Sequence, residues 1–178
     1  MMRMGLISLI ILVAVYLFLQ GRISDRSSEK PIFLQVDKIA LSHETKINIK
    51  LESKFKPDSL QLETLINNYS NIWAHLNHLY STNDIISGKE FYTENWFKHL
   101  TANYKETINA PVKREDKNHN LIIKNWSSDG LVCTAIDSNI LISYTYLNHK
   151  IDTSYISMAV VLLFQGDNWR IDALKVLN

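Results

Sequence analysis

His75 and His78 stand three residues apart in the stretch Asn71-Ile-Trp-Ala-His-Leu-Asn-His78. On a helix that spacing points both imidazoles the same way, as two ligands of a metal site would be. A zinc site needs at least three protein ligands, and no third is in step with these two. Together with Asn68 and Asn71 the pair reads as the solvated side of a helix, and no metal is expected. His99 is the next candidate, as a general base, because such a base needs an Asp or Glu to orient it inside a cavity. The acids available are Asp137, Asp152 and Asp172. The first two fall in predicted turns, where Asp is a local turn former. Asp172 falls on the opposite strand face from Trp169 and Ile171. No His–Asp pairing can be placed on one surface, so no catalytic residue is assigned. Tyr144, Tyr146 and Tyr155 are hydroxyl donors on strand-like segments. With His99 and Trp126 they form the set of candidate ligand or interface residues, Trp126 because it ends a strand beside the turn Ser127-Ser-Asp-Gly130 and is expected at the surface.

Other chemistry is poorly provided for. The single cysteine, Cys133, lies in the apolar run Leu131-Val-Cys-Thr-Ala-Ile136 and is read as a small buried hydrophobe. The chain has no Gly-rich phosphate loop, Cys-x-x-Cys, His-Glu-x-x-His or Gly-x-Ser-x-Gly, and no cofactor is expected. With 19 basic and 18 acidic residues mixed throughout, no basic stripe points to nucleic acid. Lys113-Arg-Glu-Asp-Lys117 reads as a solvated loop of mixed charge. The sequons at Asn68 and Asn125 fall inside predicted elements and are read as chance. Trp73, Trp96 and Trp169 sit on apolar faces, as core residues do.

The elements that would position these residues are legible from periodicity. Residues 46–54 alternate, with Ile47, Ile49 and Leu51 on one face, as a half-buried strand does. A second extended segment is expected at 32–36. The two pair with each other or add to the edge of the main sheet. From Leu62 to Tyr80 the apolar residues recur at steps of three and four, one helix face over five turns. Asp58 and Gln61 form a capping box ahead of it. Ser87 to Glu90 repeats the pattern before a second helix with Tyr92, Trp96, Phe97, Leu100 and Tyr104 on one face, and Thr93 is placed to restart that helix after a break. Residues 109–120 are a polar connection. Strands are then expected at 121–126, 131–136, 140–147, 155–164 and 169–176, joined by Ser/Asp/Asn/Gly turns that include Asp137-Ser-Asn139. Short connections make neighbours antiparallel. Ala159 to Phe164 is apolar at every position, a strand covered on both faces. The expected fold class is α+β, with helices packed on one face of a curved antiparallel sheet.

Residues 5–19, Gly-Leu-Ile-Ser-Leu-Ile-Ile-Leu-Val-Ala-Val-Tyr-Leu-Phe-Leu, decide the expected location. A bilayer core about 30 Å thick needs about 17 to 25 apolar residues, so the run is at the short end of a span. A signal peptide competes with that reading, but Leu19 is large for the third position before a cut after Gly21. An N-terminal anchor is expected at 1–21, in membrane lipid through residues 5–20. A linker with extended segments follows at 22–57 and a domain at 58–178. The N-terminus is expected in the cytoplasm and the domain outside, in the periplasm if the cell has one.

The ending, Tyr155 to Phe164 followed by Gly166-Asp-Asn-Trp-Arg-Ile-Asp172, resembles the close of the NTF2-like (cystatin-like cone) superfamily. Phe91-Tyr-Thr-Glu-Asn-Trp-Phe97 resembles its short second helix. The likeness covers about 58–178. It implies a sheet wrapped round a helix with a cone-shaped interior, which in some members is an active site and in many is not, so fold alone leaves function open. A tail, one span and such a domain outside is also the layout of VirB8-like subunits of secretion and conjugation machines, although no Asn-Pro motif of theirs is present. The expectation is a non-enzymatic extracytoplasmic protein acting by protein contact, through self-association or an envelope partner. The alternatives are a cone holding a small apolar ligand and an NTF2-like enzyme with a histidine base.

Overall fold

A computed structural model describes residues 39–41, 43–82, 84–103 and 113–177, within the compact unit Gln35–Asn178. The apolar run at 5–19 and the segment expected at 32–36 lie outside these residues. Among the described residues no helix is long and apolar enough to cross a membrane.

The elements in order are β1 (Ile47–Leu51), α1 (Ser59–Thr82), a 3-10 turn (Lys89–Phe91), α2 (Glu94–Asn103), β2 (Lys113–Lys117), β3 (His119–Trp126), β4 (Val132–Thr145), β5 (Ile151–Gln165) and β6 (Asn168–Leu177). The capping box of α1 is formed in both directions. The Gln61 amide donates to Asp58 Oδ1 at 2.8 Å and the Asp58 amide donates to Gln61 Oε1 at 3.0 Å. Thr93 caps α2, accepting from the Trp96 amide at 3.3 Å, while Ser87 to Glu90 enters only the 3-10 turn.

The strands form one sheet in the order β1-β3-β4-β5-β6, with β2 beside the far half of β4. All neighbours are antiparallel except β1, which joins the edge parallel to β3 in the register Ile47↔His119 to Leu51↔Ile123. Residues 47–51 therefore belong to the main sheet. Even-numbered residues of β5 from Met158 to Leu162 turn toward the helices, and odd-numbered ones turn outward. Bulges between Ile123 and Asn125, Asp137 and Ile140, and Val161 and Leu162 bend the sheet. Leu65, Tyr69, Ile72 and Trp73 of α1 fill the concave side with Trp126, Trp169 and the inward strand residues. Helices on one face of a curved sheet make the α+β layout the periodicity predicts.

Three expectations are corrected. Lys113–Lys117 is a strand paired with β4, not a solvated loop, because Arg114 and Asp116 find inward partners. Residues 132–145 are one strand, not two, since Asp137-Ser-Asn139 forms a bulge and not a turn. The β4–β5 connection is shorter than expected, so Asp152 lies in β5 and is paired with Lys150 at 3.1 Å.

Candidate functional site

Two asparagines in the left-handed region set up the interior. Asn118 (φ 57°) separates β2 from β3, and Asn139 (φ 57°) sits in the bulge of β4. Asparagine is one of the few non-glycine residues that accept this conformation. In a regular strand, residues i and i+3 face opposite ways. The kink at Asn118 reverses that parity, so Asp116 and His119 both point inward. The kink at Asn139 does the same for Asp137 and Ile140. The register runs Lys117↔Leu141 on one side and Asn120↔Ser138 on the other, so the two irregularities lie against each other.

Three charged groups meet there, out of contact with water. The His119 side chain donates from Nδ1 to Asp137 Oδ2 at 2.6 Å and from Nε2 to Asp116 Oδ2 at 2.8 Å, with all three side chains 0 % exposed or nearly so. Tyr69 Oη donates to Asp137 Oδ2 at 2.8 Å, and the Asn120 amide donates to Asp137 Oδ1 at 3.1 Å. Asn77 donates to Asp116 Oδ1. Trp73 lies with its ring centroid 4.7 Å from that of His119, where its π cloud favours a cation. Burial alone would lower the His119 pKa, but the hydrogen bonds to Asp116 and then Asp137 carry it up to about 9. Burial would raise Asp116, and the hydrogen bonds from His119 and His43 outweigh it, holding the carboxyl well below its ordinary range. His119 is thus an imidazolium with both N–H groups donated. It has no lone pair to accept a proton, so it cannot act as the cone's base in this arrangement.

The chain of polar groups continues to the surface. His43 Nε2 donates to Asp116 Oδ1 at 2.8 Å, and its side chain is 10 % exposed. On its far side Nδ1 meets Ser70 Oγ of α1 at 3.3 Å. A cavity of about 300 Å³ opens over His43, Asn77, Arg114 and Asp116. A shallower one of about 460 Å³ opens over His43, Thr45, Lys46, Ser70 and Lys117. Arg114 lies 5.3 Å from the Trp73 ring and 5.6 Å from the Tyr80 ring, and burial lowers its pKa.

The outer sheet face carries the other feature. Ile122↔Ile136↔Ala159↔Lys175 and Asn125↔Thr134↔Val161↔Ala173 form adjoining rows across four strands. A cleft of about 380 Å³ runs over Ile136, Ala159, Val161 and Ala173, closed at one end by Trp96 and edged by Lys124 and Lys175.

The residues singled out from sequence are scattered. Trp126, expected at the surface, is 2 % exposed and packs 5.1 Å from Trp169. Its strand parity is shifted by the bulge after Ile123, which turns it inward. His75, expected on a solvated face, is 1 % exposed and lies 4.7 Å from Phe91, and burial lowers its pKa to about 4. That side of α1 is covered by the turn at Gly88, where a Cβ would come within 3.3 Å of the His75 side chain. His78 reaches Asp84 at 3.4 Å. No group of three or more metal-ligating side chains occurs among the described residues. His99 is exposed and stacks on Trp96 at 5.2 Å, away from Asp137. Asp172 accepts from Thr93 Oγ1 at 2.8 Å and ties α2 to β6. Tyr144 packs against Tyr80 with ring centroids 5.4 Å apart, while Tyr146 and Tyr155 are exposed on the β4–β5 arm. Cys133 is buried, which pushes its thiol up to about 12. His43, Asp116 and His119 were not singled out. The one sequence signal for His119 is that it continues the inward parity of Leu121 and Ile123 by one step.

No protein-family model matches the chain, and no curated protein matches it. Several solved structures are similar. The intermembrane-space region of the chloroplast protein ARC6 is 16 % identical with a TM-score of 0.44, over 69 % of this chain and 98 % of that one. A type 2 hexachlorocyclohexane dehydrochlorinase (LinA) is 7 % identical with a TM-score of 0.48, over 67 % and 88 %. An NTF2-like superfamily protein from Salmonella enterica serovar Typhimurium is 13 % identical with a TM-score of 0.43, over 67 % and 90 %.

Proposed function

We propose that the chain is a membrane-anchored, extracytoplasmic NTF2-like protein that works by protein contact, pairing with a second copy of itself through the outer face of its sheet. The observation that carries this is the apolar outer face at Ile122, Ile136, Ala159, Val161 and Ala173, on the side opposite α1 and bounded at one end by Trp96 of α2. Ile136, Ala159 and Val161 sit midway along the fourteen- and fifteen-residue strands β4 and β5, with Lys124, Thr134 and Lys175 on the same face. A stable pair needs about 800 Å² from each partner, so the contact would extend beyond the apolar rows to the polar strand ends. Its rim alternates in sign, with Lys50, Glu52 and Lys124 joined at 2.6–2.7 Å and Lys113 with Glu115 at 2.8 Å, so that two copies can meet without a single-sign clash. Inside the roll, both nitrogens of His119 are committed, which favours a scaffold over a cone-type enzyme. The apolar run at residues 5–19, if it is an anchor as its length suggests, would give the chain the layout of VirB8-like subunits and a place in an envelope or secretion assembly.

The test has two parts. A phosphatase reporter placed after Asn178 is active only if that end lies outside the cytoplasm. In intact cells, Val161→Cys is expected to give an oxidant-dependent crosslinked dimer, and Val161→Asp to disperse the pair seen for the full chain in mild detergent by sedimentation. A full chain that stays monomeric at tens of micromolar, or one that pairs unchanged with Val161→Asp, removes the reading. A lipid or metabolite retained over Val161 in native mass spectra also removes it, in favour of ligand binding.

A further inference from the structure

Ser70, His43 and Asp116 stand in one line, hydroxyl to imidazole to carboxylate. The order of hydrogen bonds fixes their roles. Asp116 accepts from Nε2 at 2.8 Å, so the neutral form of the His43 ring carries its proton there and presents a lone pair at Nδ1. Ser70 Oγ lies 3.3 Å from that lone pair, the looser distance usual before a substrate tightens such a bond. Such sets are recognised by geometry and role, not by position in the chain. This one differs from the interior cluster in two respects. His43 has a nitrogen free of carboxylates, and both His43 and Ser70 line an open cavity of about 460 Å³.

We infer that Ser70, His43 and Asp116 form a nucleophile, base and positioning carboxylate that hydrolyse a small acyl ester bound in this cleft. Ser70 Oγ attacks the acyl carbon as its proton passes to His43 Nδ1. The ester C–O bond breaks as that proton moves to the leaving alcohol. Water then attacks the acyl–Ser70 carbon by the same route, releasing the acid and restoring the hydroxyl, with no redox partner needed. The surroundings fit this charge flow. Two buried carboxylates and one imidazolium, Asp116, Asp137 and His119, leave the cluster with one negative charge, and a proton arriving on His43 neutralises it. Thr45 Oγ1 is buried without a hydrogen-bond partner in a residue that lines the same cleft, an uncommitted hydroxyl beside the reacting groups. Lys46 and Lys117, neither in an ion pair among the described residues, outnumber the one carboxylate of the cleft lining, Glu44, and favour an ester whose acyl chain carries a carboxylate.

The full chain in mild detergent is treated with a fluorophosphonate probe and mapped by peptide mass spectrometry. The expected result is a stoichiometric adduct on Ser70, absent in Ser70→Ala and formed about 100-fold more slowly in His43→Gln. Asp116→Asn is expected to lower the maximal labelling rate without changing the half-saturating probe concentration, a split that loosened folding alone does not produce. Mono-4-nitrophenyl succinate is expected to turn over faster than 4-nitrophenyl acetate, with the preference lost in Lys46→Glu/Lys117→Glu. A folded wild-type chain with no adduct on Ser70, or labelling at the same rate in His43→Gln, overturns the assignment. Because this readout is covalent, it stands or falls separately from the pairing of two copies.

Discussion

Replacing His119 by Gln is the most direct test of the interior. The imidazolium is the only cation between two fully buried carboxylates, Asp116 and Asp137. Its folded pKa of about 9 lies above the ordinary 6.5, so protonation stabilises the fold. That contribution is fully present below pH 6.5 and is lost as pH rises through 9. A gap of about 2.5 units corresponds to about 3 kcal/mol. Removing one partner of a buried pair typically costs about 3–5 kcal/mol, a large share of the roughly 5–15 kcal/mol that holds a domain together. Urea unfolding of the full chain in a fixed detergent, followed by far-UV circular dichroism at pH 6.5, 8 and 9.5, measures both. The wild type is expected to lose about 3 kcal/mol between the first and last of these. His119→Gln should start about 3–5 kcal/mol lower at pH 6.5 and stay nearly level across the window. Adding Asp116→Asn and Asp137→Asn to His119→Gln should regain most of the loss, since uncharged amides need no counter-ion. The reasoning is refuted if His119→Gln lies within about 1 kcal/mol of wild type and the wild type is flat with pH, because 1 kcal/mol is the worth of an ordinary hydrogen bond.

The remaining predictions concern local structure. Asp58→Ala removes half of the α1 capping box and is expected to cost about 1 kcal/mol in the same urea assay. Cys133 should resist a thiol reagent such as dithionitrobenzoate in the native state and react at the rate of global unfolding, because its thiol is buried and pushed up to about 12. Asn118→Val places a β-branched residue at φ 57° and is expected to lose about 1–2 kcal/mol or more, whereas Asn118→Gly should stay close to wild type. Equal losses in the two Asn118 variants would remove the role given to that backbone conformation.

Periodicity served well where packing follows it. The stripe from Leu62 to Tyr80 became α1, and the alternation of Ile47, Ile49 and Leu51 became β1. The reading failed where one residue changes the parity of a strand. Lys113 to Lys117 looked solvated because all five of its side chains are charged. Only the paired kinks at Asn118 and Asn139 turn Asp116 toward a histidine and aspartate that are distant or out of phase in the chain. Trp126 was misplaced for the same reason, one bulge further along β3. His75 failed differently. A helix wheel shows the polar side of α1, but not the Gly88 turn that folds back over it. His43 carried no local signal, since its partners are 27 and 73 residues away.

The buried cluster also bears on why β2, β3 and β4 pair as they do. Strand register is strongly specified only where a slip would expose apolar side chains or strand polar ones. β2 has no apolar residue, so burial cannot fix its register against β4. A slip of one residue would instead turn Asp116 outward and put Lys117 or Glu115 in its place. His119 would then face one carboxylate instead of two, and Asn77 and His43 would lose their acceptor. Each of these is a buried polar group left unpaired, at about 1–3 kcal/mol apiece. The salt-bridged interior thus does for β2 what leucine and valine do for β5: it makes one pairing much better than its neighbours. The same bonds hold His43 against α1, so the segment leading into β1 and the Ser70 cleft are built by the groups that set the register of the sheet.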